Sequence, residues 1–285
     1  MKPDIQITEC PRDAMQGLTR FIPTDTKAAY INLLLQVGFD TIDFGSFVSP
    51  KAIPQMQDTA AVLEKLDLSG SKSKLLAIIA NYRGAEEATQ HEQITYLGFP
   101  FSISETFQQR NTNASRDEAF ETVKRIKELS DAKTKDLLVY LSMGFGNPYG
   151  DEWNNEIVLQ WAERLIGEGV KYISLADTIG IAAPEQIASL YTLLTGYFPE
   201  TIFGVHLHST PDTWLGKIEA AYQSGCKRFD TALKGYGGCP MAKDELTGNI
   251  ATESLITYLQ QQNVNLGLNF DKFQEAMDYS GQIFV

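Results

Sequence analysis

Two of the chain's three histidines, His206 and His208, sit two residues apart in the apolar run Val205-His206-Leu207-His208. In an extended strand, side chains i and i+2 project from one face, so both imidazoles point the same way. Imidazoles side by side readily share one divalent metal; the plainer alternative is a pair of hydrogen-bonded core histidines. A carboxylate would complete such a set, and Asp13 offers one just after the strand-like run Ile5–Glu9. This mixed set of oxygen and nitrogen donors leaves positions for water or a chelating substrate. It suits Mg²⁺, Mn²⁺, Co²⁺ or Zn²⁺ without separating them. Arg12 beside that carboxylate is suited to neutralising a developing oxyanion or enolate, a surface ion pair being the plainer reading. Asp43 and Asp177 read as carboxylates that orient Arg12 or a histidine, with cap or turn roles as the alternative. Cys239 lies in Gly237-Gly238-Cys239-Pro240, a turn whose glycines allow close approach to a ligand. A thiol there suits proton transfer, whereas Cys10 and Cys226 read as buried and inert.

These residues need a scaffold that brings distant segments to one place. Short β-branched runs alternate with amphipathic stretches along the chain. The strand candidates are Ile5–Glu9, Thr41–Phe44, Leu75–Ala80, Gln93–Leu97, Leu137–Ser142, Tyr172–Leu175, Ile202–His208 and Arg228–Leu233, each bounded by Gly, Pro, Asn or Asp. Between them, Thr24–Val37 ends at Gly38, Ser115-Arg116-Asp117-Glu118 forms a capping box, and further helices are expected over Asn155–Ile166, Pro184–Leu194, Thr213–Gln223 and Thr252–Gln261. Strand–helix units repeating at roughly 30-residue spacing predict a single-domain (β/α)8 TIM barrel over 1–285, with 269–285 as an added C-terminal helix. The alternative is an open doubly wound sheet, but no Gly-x-Gly-x-x-Gly turn follows the first strand. In a barrel the active site lies at the C-terminal ends of the strands. Arg12, Asp13, Asp43, Ser46, Ser142, Asp177, His206, His208 and Cys239 all fall at that rim in this alignment.

Bulk composition bounds the function. The chain has 285 residues, 43% of them hydrophobic and 21% charged, which is ordinary globular composition and ample for one large core. A net charge of −12 argues against a nucleic-acid or anionic-membrane partner. No stretch approaches about 18 continuous apolar residues, and three scattered cysteines make no disulfide framework, so a reduced, cytoplasmic protein is expected.

Taken together the residues resemble the hydroxymethylglutaryl-CoA lyases of the metal-dependent lyase and Claisen-condensation barrel family. The matching segments run in register from Glu9 to Glu253. They are Pro11-Arg12-Asp13; Ser46 to Lys51 with Pro54-Gln55-Met56; Ser104-Glu105 through Phe107, Asn111, Asn113 and Ser115; Ser174 to Gly180; the His206/His208 pair; Gly237 to Pro240; and Gly248 to Glu253. The resemblance implies cleavage of a 3-hydroxy-3-methylglutaryl thioester into acetoacetate and acetyl-CoA, as in leucine degradation, by a homodimer. It implies a divalent cation, Mg²⁺ or Mn²⁺ foremost, held by Asp13, His206, His208 and Asn249. It further implies proton acceptance by His206 or Asp13, enolate stabilisation by Arg12 and protonation by Cys239. Gln16, Ser46 and Ser142 are the expected substrate contacts, and Asn81, Asn111 and Asn113 the expected coenzyme A contacts. The chain departs from the family at Ala14, at Asp43 in place of a glutamate, and at Lys234 and Tyr236 before the cysteine loop. These departures leave room for another 3-hydroxyacyl-CoA. Condensing enzymes such as isopropylmalate and homocitrate synthases share the Arg-Asp and His-x-His pairs but usually lack the Gly-Gly-Cys-Pro loop. An amidohydrolase would carry its His-x-His on strand one, and a catalytically silent acyl-CoA-binding barrel is the remaining alternative.

Overall fold

A computed structural model describes residues 5–238 and 247–284. Eight strands, β1 (Gln6–Glu9), β2 (Thr41–Ser46), β3 (Lys74–Ile78), β4 (Ile94–Ser102), β5 (Asp136–Ser142), β6 (Tyr172–Asp177), β7 (Ile202–Ser209) and β8 (Arg228–Thr231), pair in parallel. The pairing runs through all neighbours and closes between β6 and β7 on one side and β8 and β1 on the other, which makes a barrel. The helices are α1 (Pro11–Gln16), α2 (Thr24–Val37), α3 (Thr59–Leu63), α4 (Tyr82–Ala88), α5 (Glu105–Thr112), α6 (Arg116–Ala132), α7 (Asn155–Gly167), α8 (Pro184–Tyr197), α9 (Trp214–Gln223), α10 (Thr252–Gln261) and α11 (Phe270–Ser280). The main apolar core lies between the strands and the outer helices, as the one-sided helical patterning requires. A second, smaller cluster of Leu76, Ile78, Tyr96, Leu138 and Tyr140 fills the barrel interior.

Several boundaries differ from the sequence reading, each for a local reason. β4 runs past Gly98 and Pro100 to Ser102 instead of stopping at Leu97. Gly98 is an interior packing position, not a turn: a Cβ there would meet Ile78 Cδ1 at 2.6 Å. Residues 11–16 form a short helix where the sequence reading assigned no element; Pro11 occupies a first-turn position, where it needs no intrahelical partner. β8 stops at Thr231, and the chain then bridges from Ala232 to Ala251. Between them a two-residue strand, β9 (Gly248–Asn249), runs antiparallel to β7 and pairs His208 with Asn249.

The capping box at Ser115 and Glu118 forms as the sequence indicates, with both reciprocal hydrogen bonds present. α11 packs on α2, where Tyr279 stacks on Tyr30. Beyond it, Phe284 stacks on Tyr236 with ring centroids 4.2 Å apart and also meets Tyr30 edge-on. Cys10 and Cys226 are buried free thiols; Cys239 lies outside the described residues. Among the described residues no helix is long and apolar enough to cross a membrane.

Candidate active site

The C-terminal rim of the barrel holds a cavity of about 400 Å³. Arg12, Asp13 and Gln16 from α1, Ser142 from β5, and His206 and His208 from β7 are among its walls. Each arrives by a different local rule. β7 alternation puts both imidazoles on the inner face with centroids 5.2 Å apart. The α1 turn presents Arg12, Asp13 and Gln16 together. The antiparallel pairing of β9 sets Asn249 directly opposite His208.

Ligand atoms of Asp13, His206 and His208 all lie within 4.8 Å of one another. His208 Nδ1 is 3.0 Å from the Thr178 carbonyl, so Nδ1 carries the proton and Nε2 presents a lone pair. That Nε2 and Asn249 Oδ1 are buried with no hydrogen-bond partner among the described residues. Buried polar atoms without partners are costly, and a cation held by these donors and Asp13 would supply what they lack. One carboxylate, two imidazoles and an amide oxygen fit a divalent cation chemically. Asn249 Nδ2 donates to Asp13 Oδ2 at 2.6 Å and to the Tyr236 carbonyl at 2.9 Å, which aims the amide. Gly237, in the left-handed region at φ +89°, threads between these groups; a Cβ there would meet Asn249 Nδ2 at 2.8 Å and the Asp13 carbonyl at 2.9 Å.

Charge around the site is tightly paired. The Arg12 guanidinium donates to Asp43 Oδ2 at 2.6 Å and to Asp13 Oδ1 at 3.2 Å, while Gln16 Oε1 accepts from Nη1 at 2.8 Å. Burial works to raise the Asp13 pKa, but Arg12 and the two imidazoles outweigh it and hold the carboxyl below the ordinary value. For Asp43 burial prevails over Arg12, and its pKa is pushed up to about 6, still ionised at neutral pH. Burial and the neighbouring His206 push His208 down to about 4, so this ring is neutral at pH 7 and available as a ligand. His206 goes the other way: burial lowers it, yet Asp230 and Asp13 raise it above the ordinary value.

Other sequence-predicted residues are placed as follows. Asn111 lines the cavity, but Asn113 does not: it is the left-handed C-cap of α5, at φ +54°. Asn81 caps α4 by accepting from Gly84 N at 2.9 Å and lines a separate 220 Å³ cavity with Ser46. Ser46 Oγ accepts from Val48 N, closing a local turn away from the main cavity. The turn role weighed for Asp177 is the one the geometry displays. Its carboxylate accepts from Ile181 N and Ala182 N and from Lys217 Nζ at 2.6 Å, and it does not line the cavity. Lys217 also donates to the His208 carbonyl at 2.7 Å, so one ammonium joins Asp177 to the strand that carries both imidazoles.

Three neighbours escaped the sequence reading. Tyr140 meets the His206 ring edge-on at 5.7 Å, Asp230 lies 3.5 Å from His206 Nδ1, and Lys217 is wholly buried. The signal for Asp230 was its spacing from Arg228, two residues apart and therefore on one face of β8.

The family model HMGL-like matches residues 5–279. The mitochondrial hydroxymethylglutaryl-CoA lyase of Mus musculus is 33% identical over 272 residues, 94% of this chain and 82% of that protein. The crystal structure of the Bacillus subtilis HMG-CoA lyase superposes with a TM-score of 0.92 at 32% identity, covering 99% of this chain and 95% of that one. An Acinetobacter baumannii HMG-CoA lyase, solved in complex with coenzyme A and 3-methylmalate, superposes with a TM-score of 0.90 at 30% identity, covering 98% and 90%. With the family model spanning most of the sequence and relatives above 30% identity covered over most of their length, the chain belongs to the HMGL-like family.

Proposed function

We propose that this protein is a carbon–carbon lyase that cleaves 3-hydroxy-3-methylglutaryl-CoA to acetoacetate and acetyl-CoA with a divalent cation at Asp13, His206, His208 and Asn249. The observation that carries this reading is the convergence of three metal-competent side chains with Arg12 on one cavity wall. The relatives named above, all hydroxymethylglutaryl-CoA lyases, support the substrate. The cation's contribution is to lower the pKa of a substrate hydroxyl it binds.

The chain's own residues do the rest. Asp13 and His206 are the basic groups within reach of a hydroxyl on that wall, and one of them takes its proton. The bond between C2 and C3 then breaks, leaving acetoacetate and the enolate of acetyl-CoA. Arg12, held by Asp43 and Gln16, presents its Nη1 edge to that developing negative charge. Cys239 is proposed as the acid that protonates the enolate carbon. Ser142, Gln16 and Asn111 line the space for the acyl and pantetheine portions. The same resemblance supports Mg²⁺ or Mn²⁺ as the ion, a homodimer as the assembly, the cytoplasm as the compartment and leucine degradation as the setting.

The test is acetoacetate formation from hydroxymethylglutaryl-CoA by chelator-stripped protein, before and after Mg²⁺ or Mn²⁺ is restored. Turnover is expected to return with the ion and to fall at least about 100-fold in His206→Ala. A wild-type protein that binds Mn²⁺ yet leaves this thioester intact overturns the substrate assignment and favours another 3-hydroxyacyl-CoA.

A further inference from the structure

We infer that Asp230 is a positioning residue that holds His206 in its Nδ1–H tautomer and so turns the Nε2 lone pair toward the cavity. The inference starts from strand register. β7 and β8 pair His206 with Asp230 directly, and both side chains face the barrel interior. His206 Nδ1 lies 3.5 Å from Asp230 Oδ2, an ion-pair contact, and is buried with no hydrogen-bond partner among the described residues, so the carboxylate is the one charged group that faces it there. Tyr140 meets the ring edge-on and limits its rotation. A carboxylate cannot donate when ionised, so the nitrogen facing it must carry the hydrogen.

The two histidines therefore solve one problem in two ways. His208 is held by a backbone carbonyl, that of Thr178. His206 instead faces a carboxylate, that of Asp230.

Asp230 is itself built to stay ionised in a buried place. Its side chain is wholly inaccessible, Ser174 Oγ donates to Oδ2 at 3.3 Å, and Arg228 lies two residues away on the same strand face. Arg228 is also buried, with its guanidinium over the rings of Tyr96 at 5.2 Å and Tyr172 at 5.9 Å. A charged column thus descends from the cavity floor along the barrel axis, where a TIM barrel ordinarily packs branched apolar side chains. Its upper end is the ring of His206.

The ¹⁵N chemical shifts of the imidazoles test this in metal-free protein, above the pH at which His206 loses its charge. With three histidines in the chain, assignment is tractable. Wild type is expected to show pyrrole-type Nδ1 and pyridine-type Nε2 at His206. Asp230→Asn is expected to shift that ring toward the Nε2–H form while His208 stays unchanged. The consequence for the cation rests on the proposed metal centre, so Mn²⁺ affinity is measured separately, wild type first. Asp230→Asn is expected to weaken Mn²⁺ about 10- to 100-fold. Because the single variant leaves Arg228 buried and uncompensated, Arg228→Met/Asp230→Asn serves as the folding control. The double variant is expected to recover thermal stability without recovering the tautomer or the Mn²⁺ affinity. Unchanged His206 shifts in folded Asp230→Asn overturn the inference. Failure of wild type to bind Mn²⁺ overturns the metal reading and leaves the tautomer result standing.

Discussion

Arg12 is surrounded by acceptors, and that fact decides what its neighbours do. Asp43 takes two of its donor positions, Nε and Nη2, and leaves Nη1 between Asp13 and Gln16. Removing the Asp43 charge releases the guanidinium toward Asp13, which would pull the carboxylate away from the position proposed for it at the cation. Asp43→Asn is therefore expected to lower kcat/KM about 10- to 100-fold, with Asp43→Glu restoring most of it, since the resemblance puts a glutamate at this position. Steady-state kinetics of the two variants check this; a fully active asparagine variant would reduce Asp43 to a packing role. The pKa of about 6 adds a sign: as pH falls through 6 Asp43 takes up a proton, the ion pair weakens, and activity declines with it.

At the scale of elements, α9 does more than cover β7. Its Lys217 passes under the rim and joins Asp177 Oδ2, the Gly180 carbonyl and the His208 carbonyl through one ammonium. That ammonium ties the end of β6 to the strand carrying both imidazoles. Lys217→Met leaves the buried Asp177 without its cation and is expected to cost about 3–5 kcal/mol of stability. Chemical denaturation measures it, and a loss below about 1 kcal/mol would mean the turn holds itself. The sequence reading did not single out Lys217, although the spacing from Trp214 to Ala221 puts it on the face of α9 that carries Ile218; spacing alone does not say which carboxylate such a lysine meets. The same limit applied to β9, whose two residues carry no pattern, although Asn249 was recognisable by resemblance. By contrast α2 and α10 were legible to the residue, since periodicity, a C-terminal Gly38 and length all agreed. Ser46 and Asn113 lay in matching segments and Asn81 was expected as a coenzyme A contact, yet Ser46 closes a local turn, Asn81 caps α4 and Asn113 ends α5 in the left-handed region, outcomes set by backbone angles that residue identity does not specify.

At the scale of the whole molecule, barrel closure passes through a buried acid. Glu9 at the end of β1 accepts from Leu233 N at 2.8 Å and from Thr252 Oγ1 at 2.5 Å, joining the first strand to the last and to α10. Burial pushes its pKa up to about 8 from 4.5. The folded protein therefore keeps a proton that the unfolded chain releases. Stability from this group is full below pH 4.5 and is lost as pH rises toward 8, at about 1.4 kcal/mol per pH unit. Glu9→Gln is expected to flatten that part of the profile, and thermal midpoints between pH 5 and pH 9 (roughly the span of the shift) would show it. Parallel profiles for the two proteins would mean that Glu9 is ionised when folded. The barrel itself was legible from the alternation of runs and helices, and its polar rim from the placement of Arg12, Asp13 and the histidines. The charged column beneath them was not, because it depends on which residues of β7 and β8 stand side by side.

The stack of Phe284 on Tyr236 gives the far end of the chain a share in this chemistry. From the Phe284 ring the path is one stacked contact to Tyr236, one hydrogen bond from its carbonyl to Asn249, and one more to Asp13. Loosening the Phe284 ring is thus a way to disturb the proposed cation position without touching any group that would hold it, and Phe284→Ala makes that disturbance separable from the chemistry.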